Sequence, residues 1–289
     1  MFLLNFTINN ICTAQSDAKT TANVQQLAKS NTLKAFVDSG IAYVKKYGKS
    51  KAYKEFNNPK GKFVQGDMFL FVYNYQGVNL VHGDNPKLYV GTNRLNFRAP
   101  YGTPIILLLS KLAKRGGGFL HYYGPDPVTK KIEYKTAYVE PIDNDTFIGS
   151  GVFENIVVPQ TKDIRIEELK SLVHEAIAYY KQNGQVKAFA EFGNPSSKFL
   201  QPTITLFVVN YAGKCLFDSD PALIGQNNYN LTDAFDTPFI QMFIETAKNG
   251  GGVVAYYWPD RVTKKNVLKV SYIEQLTENT LIGGSIEAT

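Results

Sequence analysis

A chain of 289 residues with 44% hydrophobic content can bury one large core or two ordinary ones, which excludes a disordered or fibrous protein. Its formal charge of +6 comes from 26 Lys and only five Arg scattered among 25 carboxylates, and that dispersal argues against a nucleic-acid partner, because nucleic-acid binders cluster their charge on one element. Two cysteines, Cys12 and Cys215, form no Cys-x-x-Cys pair, so neither a metal framework nor a disulfide scaffold is indicated and no cofactor is implied.

The chain opens on FLLNFTINNICTA (residues 2–14), six large apolar residues that end in Cys-Thr-Ala. This reads as a signal peptide or an untidy leader, and residues 1–31 are assigned to it together with the start of a first helix. Cleavage there would leave only Cys215, which suits an oxidising compartment. Nothing else approaches the roughly 18 uninterrupted apolar residues of a membrane helix, so no membrane span is expected in this chain.

Leu33, Phe36, Val37, Ile41 and Val44 have helical spacing and predict a long helix with one buried stripe, capped at Gly48. A short second helix carrying Ala52, Tyr53 and Phe56 ends at Asn58-Pro59, since the residue before a proline leaves the helical region. Met68–Tyr73 and Val78–His82 flank an Asn-Tyr-x-Gly turn and predict a hairpin. Thr103-Pro104 is expected to cap and open a helix that runs to Gly116-Gly117-Gly118. That triplet follows a helix and precedes a strand, the reverse of a phosphate-cradling loop, so it reads as helix stop and strand entry. The strand FLHYYG, a turn DPVTKK, and the strands Ile132–Glu140 and Thr146–Phe153 complete the unit.

The whole unit then recurs. Residues 169–195 repeat 33–59 with 14 of 27 identities, LFVYNYQG returns as LFVVNYAG, YGTP as FDTP, and GGGFLHYYGPDPVTKK (116–131) as GGGVVAYYWPDRVTKK (250–265). A spacing of about 135 residues is the size of a domain and too long for a solenoid repeat. The expected organisation is repeat 1 over 32–155, a linker over 156–167 with Pro159, and repeat 2 over 168–289. Each repeat is α+β, an antiparallel sheet with a long N-terminal helix and further helices packed on it.

The series F-x-x-G-D-x-F-x-F-V-Y-N-x-x-G-V-x-L-V-H (63–82), then L-Y-V-G-x-N, Y-G-T-P, A-K-x-G-G-G-F-x-x-Y-x-x-P-D-P and K-x-x-Y-V, resembles the single-Cache extracellular sensor domains of bacterial receptors, over nearly the whole chain and in both repeats. The resemblance implies a tandem pair of PAS-like folds that bind small organic acids or amino acids outside the cytoplasm. Several family positions are altered here. The first hairpin-strand Tyr is Phe69 in one copy and Thr205 in the other, and the Asp before the second long helix is Ala99 or Asp233. The Trp after the strand tyrosine is Gly124 or Trp258, and the position of His82 holds Asp218 in the second copy.

A pocket for a small carboxylate needs a cation and aromatic walls. Lys135 and Lys269, each followed three residues later by Tyr138 and Tyr272, are the candidate cations, with a solvated strand lysine as the plainer reading of both. Tyr122, Tyr256 and Trp258 are candidate walls; alternation along a strand lets only one tyrosine of each Tyr-Tyr pair face the pocket. Asp233 and Asp218 are candidate ammonium acceptors or turn formers, and His82 a pocket residue with no second metal ligand near it. Repeat 2, which holds Trp258 and Asp233 beside Lys269 and Tyr256, is the favoured binding copy.

The chain lacks G-x-S-x-G, H-E-x-x-H, a Walker-type loop and a Cys/His pair, so no enzyme is expected. The expected function is non-catalytic recognition of a small organic acid or amino acid, periplasmic or secreted, with a membrane receptor or signalling partner. The alternative is a structural or protein-interaction module whose Cache pockets have decayed.

Overall fold

The computed structural model describes residues 28–126, 129–153, 161–259 and 266–287. Residues 1–27 of the expected leader, with Cys12, the turn tip at 127–128, its copy at 260–265 and residues 156–160 of the expected linker lie outside the described residues, while residues 161–167, expected as linker, already belong to a helix.

Helix α1 (residues 28–47) buries Leu33, Phe36, Val37 and Val44, the stripe that the spacing predicts. At Gly48 the backbone leaves the helix with φ 76°, and α2 (Lys49–Phe56) begins at once, burying Ala52 and Phe56. In repeat 2 both helices run together as one long element from Thr161 to Phe192, broken at Gly184 with φ 75°. A glycine stands at each break because a Cβ resists positive φ.

The remaining elements of repeat 1 are β1 (Val64–Gln65), β2 (Met68–Phe69), β3 (Phe71–Asn74), β4 (Asn79–His82), α3 (Pro86–Tyr89), α4 (Ile105–Lys114), β5 (Gly118–Pro125), β6 (Ile132–Pro141) and β7 (Thr146–Phe153). The run expected as one strand from Met68 to Tyr73 is interrupted at Leu70, because β1 and β2 pair with each other as a small separate hairpin. Repeat 2 supplies α5 (Thr161–Phe192), β8 (Thr205–Asn210), β9 (Cys215–Asp218), α6 (Phe239–Lys248), β10 (Gly252–Pro259), β11 (Asn266–Thr277) and β12 (Thr280–Glu287).

The two copies share one ten-stranded sheet in the order β4-β3-β7-β6-β5-β10-β11-β12-β8-β9. Within each half the pairing is antiparallel and equivalent: Tyr122 lies opposite Lys135 as Tyr256 lies opposite Lys269. Helices α4 and α6 cover one face over a core common to both halves, which includes Leu108, Leu109, Phe147, Phe243 and Leu281. On the other face α1 and α2 cover repeat 1, and α5 covers repeat 2. Burying each such large apolar side chain is worth roughly 1.5–3 kcal/mol.

The seam between the halves corrects one expectation. Neither Thr103 nor Thr237 caps its helix; the N-cap positions are Pro104 and Pro238, without a side-chain bond. Each threonine instead reaches into the other repeat. Thr103 Oγ1 donates to Val253 O (2.7 Å) and Thr237 Oγ1 donates to Phe119 O (3.2 Å), and these carbonyls are equivalent in the two copies. The pair of bonds is related by a pseudo-two-fold axis at the single β5–β10 register pair, His121 opposite Ala255. His121 is fully buried there, its Nδ1 2.9 Å from Thr136 Oγ1, and burial pushes it down to about 3, so the ring is neutral. The glycine triplets stop their helices and enter β5 and β10 as the sequence predicts, with φ between 77° and 151° at all six glycines.

Candidate functional site

Each repeat has a pocket between its half of the sheet, its α4- or α6-type helix and the loop after its first hairpin. In repeat 2 the strand period of two brings Tyr256 and Trp258 to the pocket face. The β10–β11 register sets Lys269 beside Tyr256, and β12 sets Glu287 on the far side of Lys269. Helix α6 closes the top: the Phe239 ring stacks on Tyr256 (4.5 Å, 9°) and meets Trp258 edge-on (5.4 Å). From the hairpin edge come Asp218 and, just after it, Asp220. The enclosed space is about 300 Å³. At its floor the Tyr256 hydroxyl lies 3.2 Å from Ser285 Oγ and 3.4 Å from Ser271 Oγ, a buried hydroxyl cluster. Cys215 also lines the pocket, but burial pushes its thiol up to about 12, which leaves it unreactive.

The repeat 1 pocket is smaller, about 120 Å³. Lys135 occupies the place of Lys269, with its ammonium 4.4 Å from the Phe153 ring and 5.5 Å from Phe69. Desolvation pushes it down to about 8, against the opposing pull of Asp126, Asp67 and Asp84. A Cβ on Gly151 would come within 2.6 Å of Lys135 Cε, so the glycine leaves room for the lysine to cross β7. The His82 ring lies between Phe69 (4.7 Å) and Tyr89 (4.2 Å), and its Nδ1 accepts from Asn85 N (3.1 Å). Burial first, then Lys135 and Arg94, push His82 down to about 4, so it is neutral at physiological pH. Arg94 completes the pocket, its guanidinium over Phe97 (4.1 Å) and Tyr89 (4.7 Å).

Of the residues singled out from the sequence, Lys269, Tyr256 and Trp258 meet in one pocket and Lys135, Tyr122 and His82 in the other. Three do not join them. Tyr138 and Tyr272 lie three residues beyond their lysines, and an odd separation on a strand places them on the opposite face. There Tyr138 donates to Glu140 Oε1 (2.5 Å), which also accepts from Lys34 of α1 (2.8 Å), while Tyr272 donates to Glu274 (2.5 Å) beside His174 of α5. These tyrosines tie the long helices to the sheet.

Asp233 is the third. Its carboxylate accepts from Phe235 N (2.8 Å), Thr237 N (3.0 Å) and Tyr257 N (2.9 Å), so it holds the loop before α6 against β10. Burial nevertheless raises its pKa. Sequence reasoning missed Arg94 and Asp220; the signal for Arg94 was its rarity, one of five arginines, at a position where the second copy has Asn228. Among the described residues no group of three or more His, Cys, Asp or Glu could hold a metal ion, and no helix is long and apolar enough to cross a membrane.

The family model described as Single Cache domain 2 matches the chain twice, over residues 13–167 and 160–285. A sensor histidine kinase, MctS of Rhizobium johnstonii, is 34% identical over 96 residues, which are 33% of this chain and 21% of the kinase; the match thus spans about a fifth of that relative. Among solved structures, a methyl-accepting chemotaxis protein from Vibrio parahaemolyticus is 24% identical with a TM-score of 0.41, covering 47% of this chain and 96% of that one. A Cache chemosensory domain described for carboxylic acid recognition is 22% identical with a TM-score of 0.38, covering 44% of this chain and 95% of that one.

Proposed function

The chain belongs to the Single Cache domain 2 family, whose members are extracytoplasmic ligand-binding sensors, and from that premise we propose that it binds a small carboxylate-bearing metabolite, an organic acid or an amino acid, without catalysis. We assign one sensor unit to 32–155 and the other to 168–289, and we place the protein in the periplasm or among secreted proteins, working with a membrane receptor or signalling partner. The observation that carries this reading is the 300 Å³ cavity of repeat 2, where Lys269 stands beside Tyr256 and Trp258. An ammonium donates charge-assisted bonds to a carboxylate, and aromatic walls that exclude water strengthen them. The hydroxyl cluster below offers further donors to a polar ligand. Lys269→Ala should weaken binding of the cognate acid at least tenfold in calorimetry, about 1.4 kcal/mol, while the unfolding midpoint of the free protein stays in place. Unchanged affinity would remove Lys269 from the site.

A further inference from the structure

The two pockets share one strand register, and the side chains on their hairpin side differ in one direction. Phe71 lies opposite Gly149 and Phe207 opposite Gly283, so Phe69 stands where repeat 2 has Thr205, and Tyr73 where it has Val209. The loop behind the hairpin is held alike: Arg94 N donates to Gly77 O and Phe97 N to Arg94 O, as Asn228 N donates to Gly213 O and Leu231 N to Asn228 O. At all four positions repeat 1 has the bulkier side chain. On the opposite wall the order reverses, with Trp258 against Gly124 and Phe239 against Ile105.

The lysines register the exchange. The Lys135 ammonium lies by the Phe153 and Phe69 rings, within the field of Asp126, Asp67 and Asp84, so repeat 1 satisfies this cation with its own residues. Lys269 has Glu287 in the place of Phe153 and Thr205 in that of Phe69, and among the described residues it makes no hydrogen bond, ion pair or ring contact. The two aspartates of the repeat 2 lining are engaged in the turn after β9: Asp218 Oδ1 accepts from Asp220 N (2.7 Å), and Asp220 Oδ1 from Ala222 N (3.1 Å).

We propose that the ligand is an acid with an apolar body, aromatic or branched aliphatic, that it enters repeat 2 alone, and that repeat 1 excludes it with its own side chains, Phe69 above all. This rests on the small-acid reading above and names the class of acid. The carboxylate meets Lys269, and the body lies against Trp258, Phe239, Phe243 and Leu231, where leaving water is what favours it. At a water-sized share of about 30 Å³ each, the repeat 2 cavity has room for about ten such groups and that of repeat 1 for about four. Exclusion by filled space is the repulsive half of specificity.

The test is calorimetry at pH 7 on the full chain with two matched pairs, acetate with phenylacetate and glycine with L-leucine. It is repeated on Thr205→Phe, which puts the side chain of repeat 1 beside Lys269, with the unfolding midpoint of the free variant recorded alongside. At least one body-bearing probe should bind at one equivalent per chain and at least tenfold more tightly than its small partner, and Thr205→Phe should weaken it at least tenfold. Acetate or glycine binding as tightly as its partner would overturn the proposal and leave the small-acid reading standing; this comparison needs no variant to fold. Two equivalents of phenylacetate or leucine per chain, or an affinity that ignores Thr205→Phe, would overturn it as well. Silence across all four probes would overturn the parent reading with it.

Discussion

Tyr122 and Tyr256 stand at the same strand position, each beside a lysine in the same register, and the side chains around them differ. Around Tyr256 lie the hydroxyls of Ser271 and Ser285; at the matching positions repeat 1 has Ala137 and Gly151, and the space goes to the stem of Lys135. Above them Trp258 and Phe239 wall the larger cavity, where repeat 1 has Gly124 and Ile105. The ladder in both halves is unchanged by these exchanges. A duplicated sheet therefore fixes where a ligand can sit, while the short side chains on its pocket face decide how large and how polar the site is.

The largest effect that breaks this symmetry is expected at the seam. Gly118 and Gly252 are equivalent, with φ 151° and 145°, but an added Cβ on Gly252 would meet the Gly102 carbonyl carbon at 2.6 Å, whereas on Gly118 it would meet only a Leu112 methyl at 3.2 Å. Gly252→Ala should cost about 4 kcal/mol in urea denaturation, from backbone strain plus the clash, and Gly118→Ala about 2 kcal/mol. Equal losses would contradict the asymmetry.

Next comes Asp233, whose counterpart is Ala99. Asp233→Ala leaves three backbone N–H groups without their acceptor and should destabilise the protein by about 2–3 kcal/mol, read by thermal or urea unfolding. A variant that folds as well as the parent but loses ligand would return Asp233 to the binding site.

The smallest effect concerns Lys135. Its folded value of about 8 lies below the ordinary 10.5, so between those pH values the unfolded chain holds a proton that the folded chain has released. Stability of the wild type therefore rises with pH across that window. Lys135→Met should stabilise the free protein by about 1 kcal/mol at pH 7, a figure reduced for partial exposure, and the gain should fade towards pH 10.5. A pH-independent difference would show that Lys135 is not desolvated.

Much of this architecture was legible in the sequence because its determinants are local. The runs Ile132–Glu140 and Thr146–Phe153 stand as β6 and β7, and the glycines at 48, 116–118, 184 and 250–252 marked helix ends where the backbone takes positive φ. What stayed hidden was non-local. Self-alignment reveals two copies but not that they complete one sheet, so Thr103 and Thr237 looked like caps when their hydroxyls serve the opposite repeat. Asp233 looked like a ligand group because its third partner, Tyr257 N, lies 24 residues away on β10. Tyr138 and Tyr272 were misassigned although strand parity alone would have sent them to the helix face. Arg94 enters its pocket through a loop whose path no periodicity records.

The central claim, that this duplicated fold holds a small acid, is tested most directly by thermal unfolding of the purified chain against small carboxylates and amino acids. A ligand that binds only the folded state raises the midpoint, by about 2.7 kcal/mol of stability at a hundredfold excess over Kd. A rise with at least one chemical class of the panel, and its loss in Lys269→Ala for the members that enter repeat 2, is the predicted result. No shift with any member of the panel would contradict it and favour a protein-interaction module with decayed pockets.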